Sequence, residues 1–375
     1  MSTRQLPGLN FAPLTLLLAL CLLVASGCST VELRRINSAE DQPNNVWVFF
    51  SIEQDGEPVP GLVADDFEIY EDGRLVSRFE SRQVIQNPDV AAVMYTMLLL
   101  DMSGSITESG EVDALVDAAR LFLERVGKTQ KVSVYAFDGG EKIRPVVKFT
   151  DARESVEGGL EALRTYQPQD PSTNLHGAVV HGLRTLDAAL HEDDRPLKFG
   201  TLVVFTDGTD RAARVSRDEM LDEAALPQYD NFELFAIGVG AEIEEAGLAE
   251  VGRDGTELAE NKARVQQAFG SVASKIEAHS KRFYLLSYCT PARKGEHAVR
   301  IEASVTDEAK SKTAKGSLEY TFNADRFGPP PSCDASRKPA FKLDRDLEPI
   351  EEKEAAAADE SHDDKSVDQA NKPKK

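Results

Sequence analysis

Residues 95–106 read YTMLLLDMSGSI, an apolar run that stops abruptly in small oxygen-bearing side chains. Met97, Leu98, Leu99 and Leu100 do not alternate with polar residues, as expected of a strand buried on both faces. The run ends in Asp101, Ser103 and Ser105. In a parallel α/β sheet, the C-terminal ends of the strands are where ligands bind. A helix beginning there offers N–H groups and the positive end of its dipole, not negative charge. A carboxylate and two hydroxyls gathered at that point suit either a helix cap or a hard cation with oxygen ligands, such as Mg²⁺.

Two later segments bear on that choice. Residues 200–206 form a second buried run, ending in Thr206, Asp207 and Gly208. Between the two lies Gln169-Asp170-Pro171-Ser172-Thr173-Asn174, just before a helical pattern at Ala178, Val179, Leu183, Leu186 and Leu190. Thr173 or Asn174 could cap that helix, and Asp207 alone reads as a cap or turn residue. Three oxygen-rich loops, each at the C-terminal end of an α/β unit, point instead to one shared site.

The pattern Asp101-x-Ser103-x-Ser105, Thr173 and Asp207 resembles the metal-ion-dependent adhesion site of von Willebrand factor type A domains. The resemblance covers residues 91–281, and all five positions occur in order. It implies a doubly wound, mostly parallel, Rossmann-like sheet with one antiparallel edge strand. It also implies that Ser103, Ser105 and Thr173 bind Mg²⁺ or Mn²⁺ directly, with Asp101 and Asp207 acting mainly through water. One coordination position would stay open for an Asp or Glu carboxylate of a protein partner.

The rest of the segment suits such a sheet. Val112, Leu115, Val116, Ala119, Phe122, Leu123 and Val126 keep helical spacing, as do Val265, Ala268, Phe269, Val272, Ala273 and Ile276. Residues 131–137 and 142–149 read as a strand pair around Asp138-Gly139-Gly140-Glu141. Phe232–Val239 reads as a third buried strand. Strands alternating with helices predict a sheet covered on both faces.

Strand patterns also flank this domain. Val46, Val48, Phe50 and Ile52 alternate on one side. Beyond 281, Phe283–Cys289, then Val299, Ile301, Ala303 and Val305, then Leu318, Tyr320 and Phe322 do so on the other. Asp72-Gly73 fits a type I′ hairpin turn pairing Glu71 with Arg74 and Ile69 with Val76. Neither flank holds enough strands for a sandwich, so residues 46–88 and 283–325 are expected to pair, with the α/β domain inserted in or flanked by one β-sandwich. Val59-Pro60-Gly61-Leu62, Asp66-Phe67 and Glu71-Asp72-Gly73 resemble a bacterial group in which such a domain is set in β-structure.

The N-terminus reads as a targeting segment. Residues 14–26 are apolar over a stretch shorter than the roughly 20 residues needed to span a bilayer. Small residues before Cys28 resemble the lipobox of bacterial lipoproteins; a plain signal-peptidase site near Ala25 is the alternative. That resemblance implies a signal peptide over 1–27, lipidation of Cys28, a tether over 28–45 and, given Ser29, sorting to the outer membrane. Cys289 and Cys333 then remain in an oxidising compartment, where a disulfide between them is expected. Residues 326–375 read as a proline-rich, then acidic, then lysine-rich tail, disordered after about 345.

The balance of 64 Asp and Glu against 43 Lys and Arg, net −21, argues against a nucleic-acid partner. A Mg²⁺-dependent hydrolase is a second possible class and a structural envelope scaffold a third. The sequence has no G-x-S-x-G elbow, P-loop or H-E-x-x-H. His176 and His181, five apart on one helix, do not share a face. A non-catalytic, lipid-anchored binding module is the expectation.

Overall fold

The computed structural model describes residues 30–110, 112–240, 245–307, 312–328 and 333–342. The chain opens with β1 (Val31–Asp41), β2 (Asn45–Gln54), β3 (Glu57–Pro58), β4 (Phe67–Glu71), β5 (Arg74–Leu75), the short α1 (Arg78–Ser81) and β6 (Val84–Gln86). The α/β domain follows as β7 (Ala92–Asp101), α2 (Gly104–Glu108), α3 (Val112–Val126), β8 (Lys131–Phe137), β9 (Arg144–Thr150), α4 (Arg153–Ala162) and α5 (Leu175–His191). It continues with β10 (Leu197–Thr206), α6 (Arg217–Ala224), β11 (Phe232–Val239), α7 (Glu245–Val251), β12 (Gly255–Ala259) and α8 (Val265–Ser280). The chain then returns to β-structure through β13 (Phe283–Cys289), β14 (Glu296–Asp307) and β15 (Lys312–Asn323).

The central sheet has the order β12-β11-β10-β7-β8-β9. It is parallel throughout except for the antiparallel edge strand β9. Leu98 and Leu100 of β7 join a core built with α3, α4 and α8, whereas Met97 and Leu99 join one built with α5 and α6. Helices on both faces explain why the β7 run is apolar without alternation. The α/β domain is thus a doubly wound α/β fold.

Two further sheets form the β-sandwich, β1-β2-β13-β6 with β3 beside β2, and β15-β14-β4-β5. Each draws strands from both sides of the α/β domain: β13 pairs with β2 and β6, and β14 with β4. Between the sheets lie Val48, Phe50, Ile52 and Leu286 against Phe67, Ile69, Ile301 and Leu318. Asp72 and Gly73 both have positive φ, Glu71 pairs with Arg74, and the Val76 N–H donates to Ile69 O at 2.8 Å.

The opposite face of the first sheet is apolar as well. Trp47, Phe49, Phe283 and Leu285 pack on Ala91, Ala92, Leu197 and Phe199 at the base of the α/β domain. The Phe199 and Phe283 ring centroids stand 4.5 Å apart. The α/β domain is therefore seated on the sandwich by its strand N-termini, and β7 runs away from that contact. Its nine steps of about 3.3 Å put Asp101 about 30 Å from the seam.

Two expected boundaries are corrected. Within the tether assigned to 28–45, residues 31–41 form β1, paired to β2 along its length. Its charges (Glu32, Arg34, Arg35) are exposed while Val31, Leu33 and Ala39 are buried, so a sequence that reads as polar still buries one side. Within the tail assigned to 326–375, residues 333–342 are docked on the sandwich. Cys333 is disulfide-bonded to Cys289. Asn45 Nδ2 donates to Asp334 O (2.6 Å), Trp47 Nε1 to Arg337 O (3.0 Å), and Gln86 Nε2 to Ala335 O (2.8 Å). The signal peptide, Cys28 and the tail beyond 342 lie outside the described residues. No helix among the described residues is long and apolar enough to cross a membrane.

Candidate metal centre

Asp101 closes β7 in the middle of the sheet and is fully buried. Its Oδ1 accepts the Ser103 N–H at 3.0 Å, and its Oδ2 accepts the Thr206 hydroxyl, from the end of neighbouring β10, at 2.7 Å. Burial pushes this carboxyl up to about 7, against the pull of the Thr206 and Ser103 hydrogen bonds. A carboxylate stripped of water in this way is held ionised by a nearby cation.

Ser103 occupies the N-cap position of α2, yet its hydroxyl makes no capping bond. It lies 3.2 Å from the Ser105 hydroxyl, which donates to Asp207 Oδ1 at 2.8 Å. The Ser103–Ser105 separation fits a small octahedral cation, whose oxygen ligands at about 2.1 Å stand about 3 Å from one another. Among the described residues no three of His, Cys, Asp and Glu converge as a metal cluster. The donor set is hydroxyl-rich and oxygen-only, which suits Mg²⁺ or Mn²⁺.

Thr173 comes from the loop before α5. Asn174, not Thr173, caps that helix, accepting the Gly177 N–H at 3.2 Å. Thr173 faces the β10 loop: a Cβ built on Gly208 would stand 3.9 Å from Thr173 Oγ1. All five expected ligands are thus carried by three adjoining loops at one end of the sheet.

Backbone hydrogen bonds stitch those loops together. Gly104 N donates to Pro171 O (2.9 Å), Gly139 N to Asp170 O (3.0 Å), and both Arg211 N and Ala212 N to Thr173 O (3.0 Å each). Glycine at 104 eases this approach, since a Cβ there would meet Pro171 Cβ at 3.0 Å, tighter than ordinary van der Waals contact.

The sequence reading missed the outer supports. Asp138, read as a turn residue, is buried and accepts from Gly140 N, Arg144, Tyr166 and Gln169 N. The Arg214 guanidinium bridges Gly139 O and Asp170 Oδ2. Asp210 accepts the His176 N–H at 2.8 Å. Thr206 carried the one available signal, a hydroxyl ending an apolar run directly before Asp207.

Residues 97–277 match the model of the von Willebrand factor type A domain. No curated protein matches the chain. Among solved structures it is similar to proximal thread matrix protein 1 from the mussel byssus with a zinc-occupied MIDAS motif, at 16% identity and TM-score 0.41 over 49% of this chain and 48% of that one. It is also similar to the pilus adhesin SpaC from Lactobacillus rhamnosus GG, at 12% and 0.39 over 77% and 47%. A third similarity is to manganese-loaded TRAP protein of Plasmodium vivax, at 13% and 0.41 over 70% and 100%. The chain spans about half the length of the mussel structures. With the family match and the sheet order described above, the α/β unit is a von Willebrand factor type A domain.

Proposed function

From the premise of a von Willebrand factor type A domain, we propose that the protein is a divalent-cation-dependent binding module carried on the bacterial envelope. The observation that carries this reading is the convergence of Ser103, Ser105 and Asp207 over the buried carboxylate of Asp101. Ser103, Ser105 and Thr173 would hold Mg²⁺ or Mn²⁺ directly; Asp101 and Asp207 would act through water. When bound, the cation supplies one open coordination position, which a partner's Asp or Glu carboxylate fills. Asp101 anchors the Ser103 backbone and contributes charge, and Thr206 fixes the carboxylate's orientation. The reading is non-catalytic: the site is a docking point.

Cys28 would carry the lipid, placing the module at the outer membrane. Thr30, two residues on, is already fixed to the sandwich, its N–H donating to Asp55 Oδ1 at 2.9 Å. The sandwich would then act as a base, with the cation face about 30 Å above the domain seam.

A purely structural metal is disfavoured by the loop stitching. The protein's own hydrogen bonds already join the three loops, so removing the cation should lower stability only by the mass-action term, about 1–3 kcal/mol at saturating metal. Calorimetric titration with Mg²⁺ and Mn²⁺ tests the site. Wild-type chain should bind one ion and Asp101→Ala none; undiminished binding by Asp101→Ala removes the assignment.

A further inference from the structure

We propose that the end of the β-sandwich beside the Cys289–Cys333 bond holds an ion of its own, a hard monovalent cation of the sodium class, on Glu71, Asn44, Tyr288 and Tyr320.

The four side chains come from both sheets. Glu71 closes β4 and shares a row with Val299 of β14 and Tyr320 of β15. Tyr288 of β13 reaches in from the opposite sheet. Asn44 lies just before β2, where its backbone O accepts the Thr290 N–H at 3.0 Å. All four are deep in the sandwich: Glu71 is 6% exposed, Asn44 3%, Tyr288 0% and Tyr320 8%. The Tyr288 hydroxyl lies beside both Glu71 and Tyr320.

What these groups leave unmade points to a ligand. Glu71 Oε2 accepts the Thr290 hydroxyl at 2.8 Å, and Asn44 Nδ2 donates to Thr290 O at 2.6 Å. Glu71 Oε1, Asn44 Oδ1 and the hydroxyls of Tyr288 and Tyr320 are all shut off from solvent, and none of them meets a partner in hydrogen-bond geometry. Buried polar atoms are seldom left in that state, and such orphans mark a held water or ion.

Charge decides between the two. Among the described residues Glu71 has no ion-pair partner: His297 turns its Nδ1 to Asp72 at 2.7 Å. The Arg35 guanidinium, 5.7 Å from the Tyr320 ring centroid, donates to the Ser38 hydroxyl. A buried charge is costly unless a counter-charge stands beside it. A water or a tyrosine hydroxyl turned to Glu71 supplies a donor but no charge. A cation serves Glu71 Oε1, Asn44 Oδ1 and the phenol oxygens together. Oxygen-only donors select a hard ion. A monovalent ion balances the single carboxylate, whereas Ca²⁺ would leave one positive charge uncompensated in the interior.

The test follows melting of the full chain by calorimetry near pH 8 in EDTA, which empties the Asp101 centre of divalent ions. Sodium chloride is compared with N-methyl-D-glucamine chloride at equal ionic strength. Wild type should melt about 2–5 °C higher in sodium, the shift expected of an ion present at about ten times its Kd. Glu71→Gln, nearly the same shape without the charge, should lose that sodium-specific shift. Tyr288→Phe, which keeps the ring packing, should lose about half of it or more. Each variant is compared with itself in the two salts, so a general loss of stability does not enter the readout. Asp101→Ala should keep the full shift, because the two sites are separate. Equal melting of wild type in both salts, or a shift that survives Glu71→Gln, overturns the proposal. A rise with Ca²⁺ but not with sodium in the Asp101→Ala chain overturns the monovalent assignment.

Discussion

The Thr206 hydroxyl donates to Asp101 Oδ2 at 2.7 Å across adjacent parallel strands. Both residues are buried at the ends of their strands, β10 and β7, so the bond is shielded from water. It orients the carboxylate and opposes the effect of burial, which acts to neutralise it. Thr206→Val keeps the shape and removes the donor. A hydrogen bond to a charged group is worth about 1.5–3 kcal/mol, so Mg²⁺ affinity should fall about tenfold or more by calorimetry. An unchanged affinity would mean that Asp101 is oriented without Thr206.

Gly104 lies where two of the ligand-bearing loops meet. An alanine there would press its Cβ to 3.0 Å from Pro171 Cβ and 3.3 Å from Pro171 O, forcing the loops apart by a few tenths of an ångström. Overpacking of this kind costs about 1–3 kcal/mol. Gly104→Ala should lower cation affinity while circular dichroism stays that of the wild type.

Glu71 gives a pH prediction remote from the cation site. Burial raises its carboxyl above the usual range, opposed by the Thr290 hydroxyl, which donates to Oε2 at 2.8 Å. Because the folded pKa exceeds the unfolded one, the cost of ionising Glu71 is absent below the unfolded pKa. It grows as pH rises between the two values and is complete above the folded value. Glu71→Gln, which can still accept from Thr290, should raise Tm near pH 8 and leave it unchanged near pH 4. Equal gains at both pH values would assign the effect to packing.

The Cys289–Cys333 bond closes a loop of sequence separation 44, worth at most about 4 kcal/mol in the chain-entropy picture. It also fixes the strap that covers Trp47, the single tryptophan. A Cys289→Ser/Cys333→Ser chain should show a lower Tm and red-shifted tryptophan emission. Mg²⁺ affinity should be unchanged, because the cation site is about 30 Å from the seam.

The sheet was legible where burial dictated composition. The unbroken apolar runs of β7 and β10 signal strands covered on both faces, and their abrupt polar endings mark the ligand-bearing edge. The Asp72-Gly73 hairpin was legible for a local reason, two consecutive residues that tolerate positive φ. What escaped was stabilised by partners distant in sequence. β1 carries Glu32, Arg34 and Arg35 and reads as a polar tether; its pairing with β2 makes it a strand. Trp47 and Phe49, on the back of the alternating β2 pattern, hinted at a second cover that alternation alone does not identify. α6 (RDEMLDEA) is mostly charged, and β12 (GTELA) is short, so neither rises above a loop pattern.

At the site, the loops after β7 and β10 were legible because carboxylates and hydroxyls are unusual at the end of a buried apolar strand. The sequence left Thr173 and Asn174 as rival caps, and only the Asn174–Gly177 bond separates them. Asp138, Asp210 and Arg214 were opaque, because each acts on backbone far away in sequence.

The central claim is a cation-dependent partner, and an affinity pull-down from envelope extract tests it most directly. The full chain would be the bait in Mg²⁺, in EDTA, and as Thr173→Ala in Mg²⁺. The account predicts a protein retained by the wild-type bait in Mg²⁺ and lost in the other two lanes. The same proteins in all three lanes, or none in any, would contradict it.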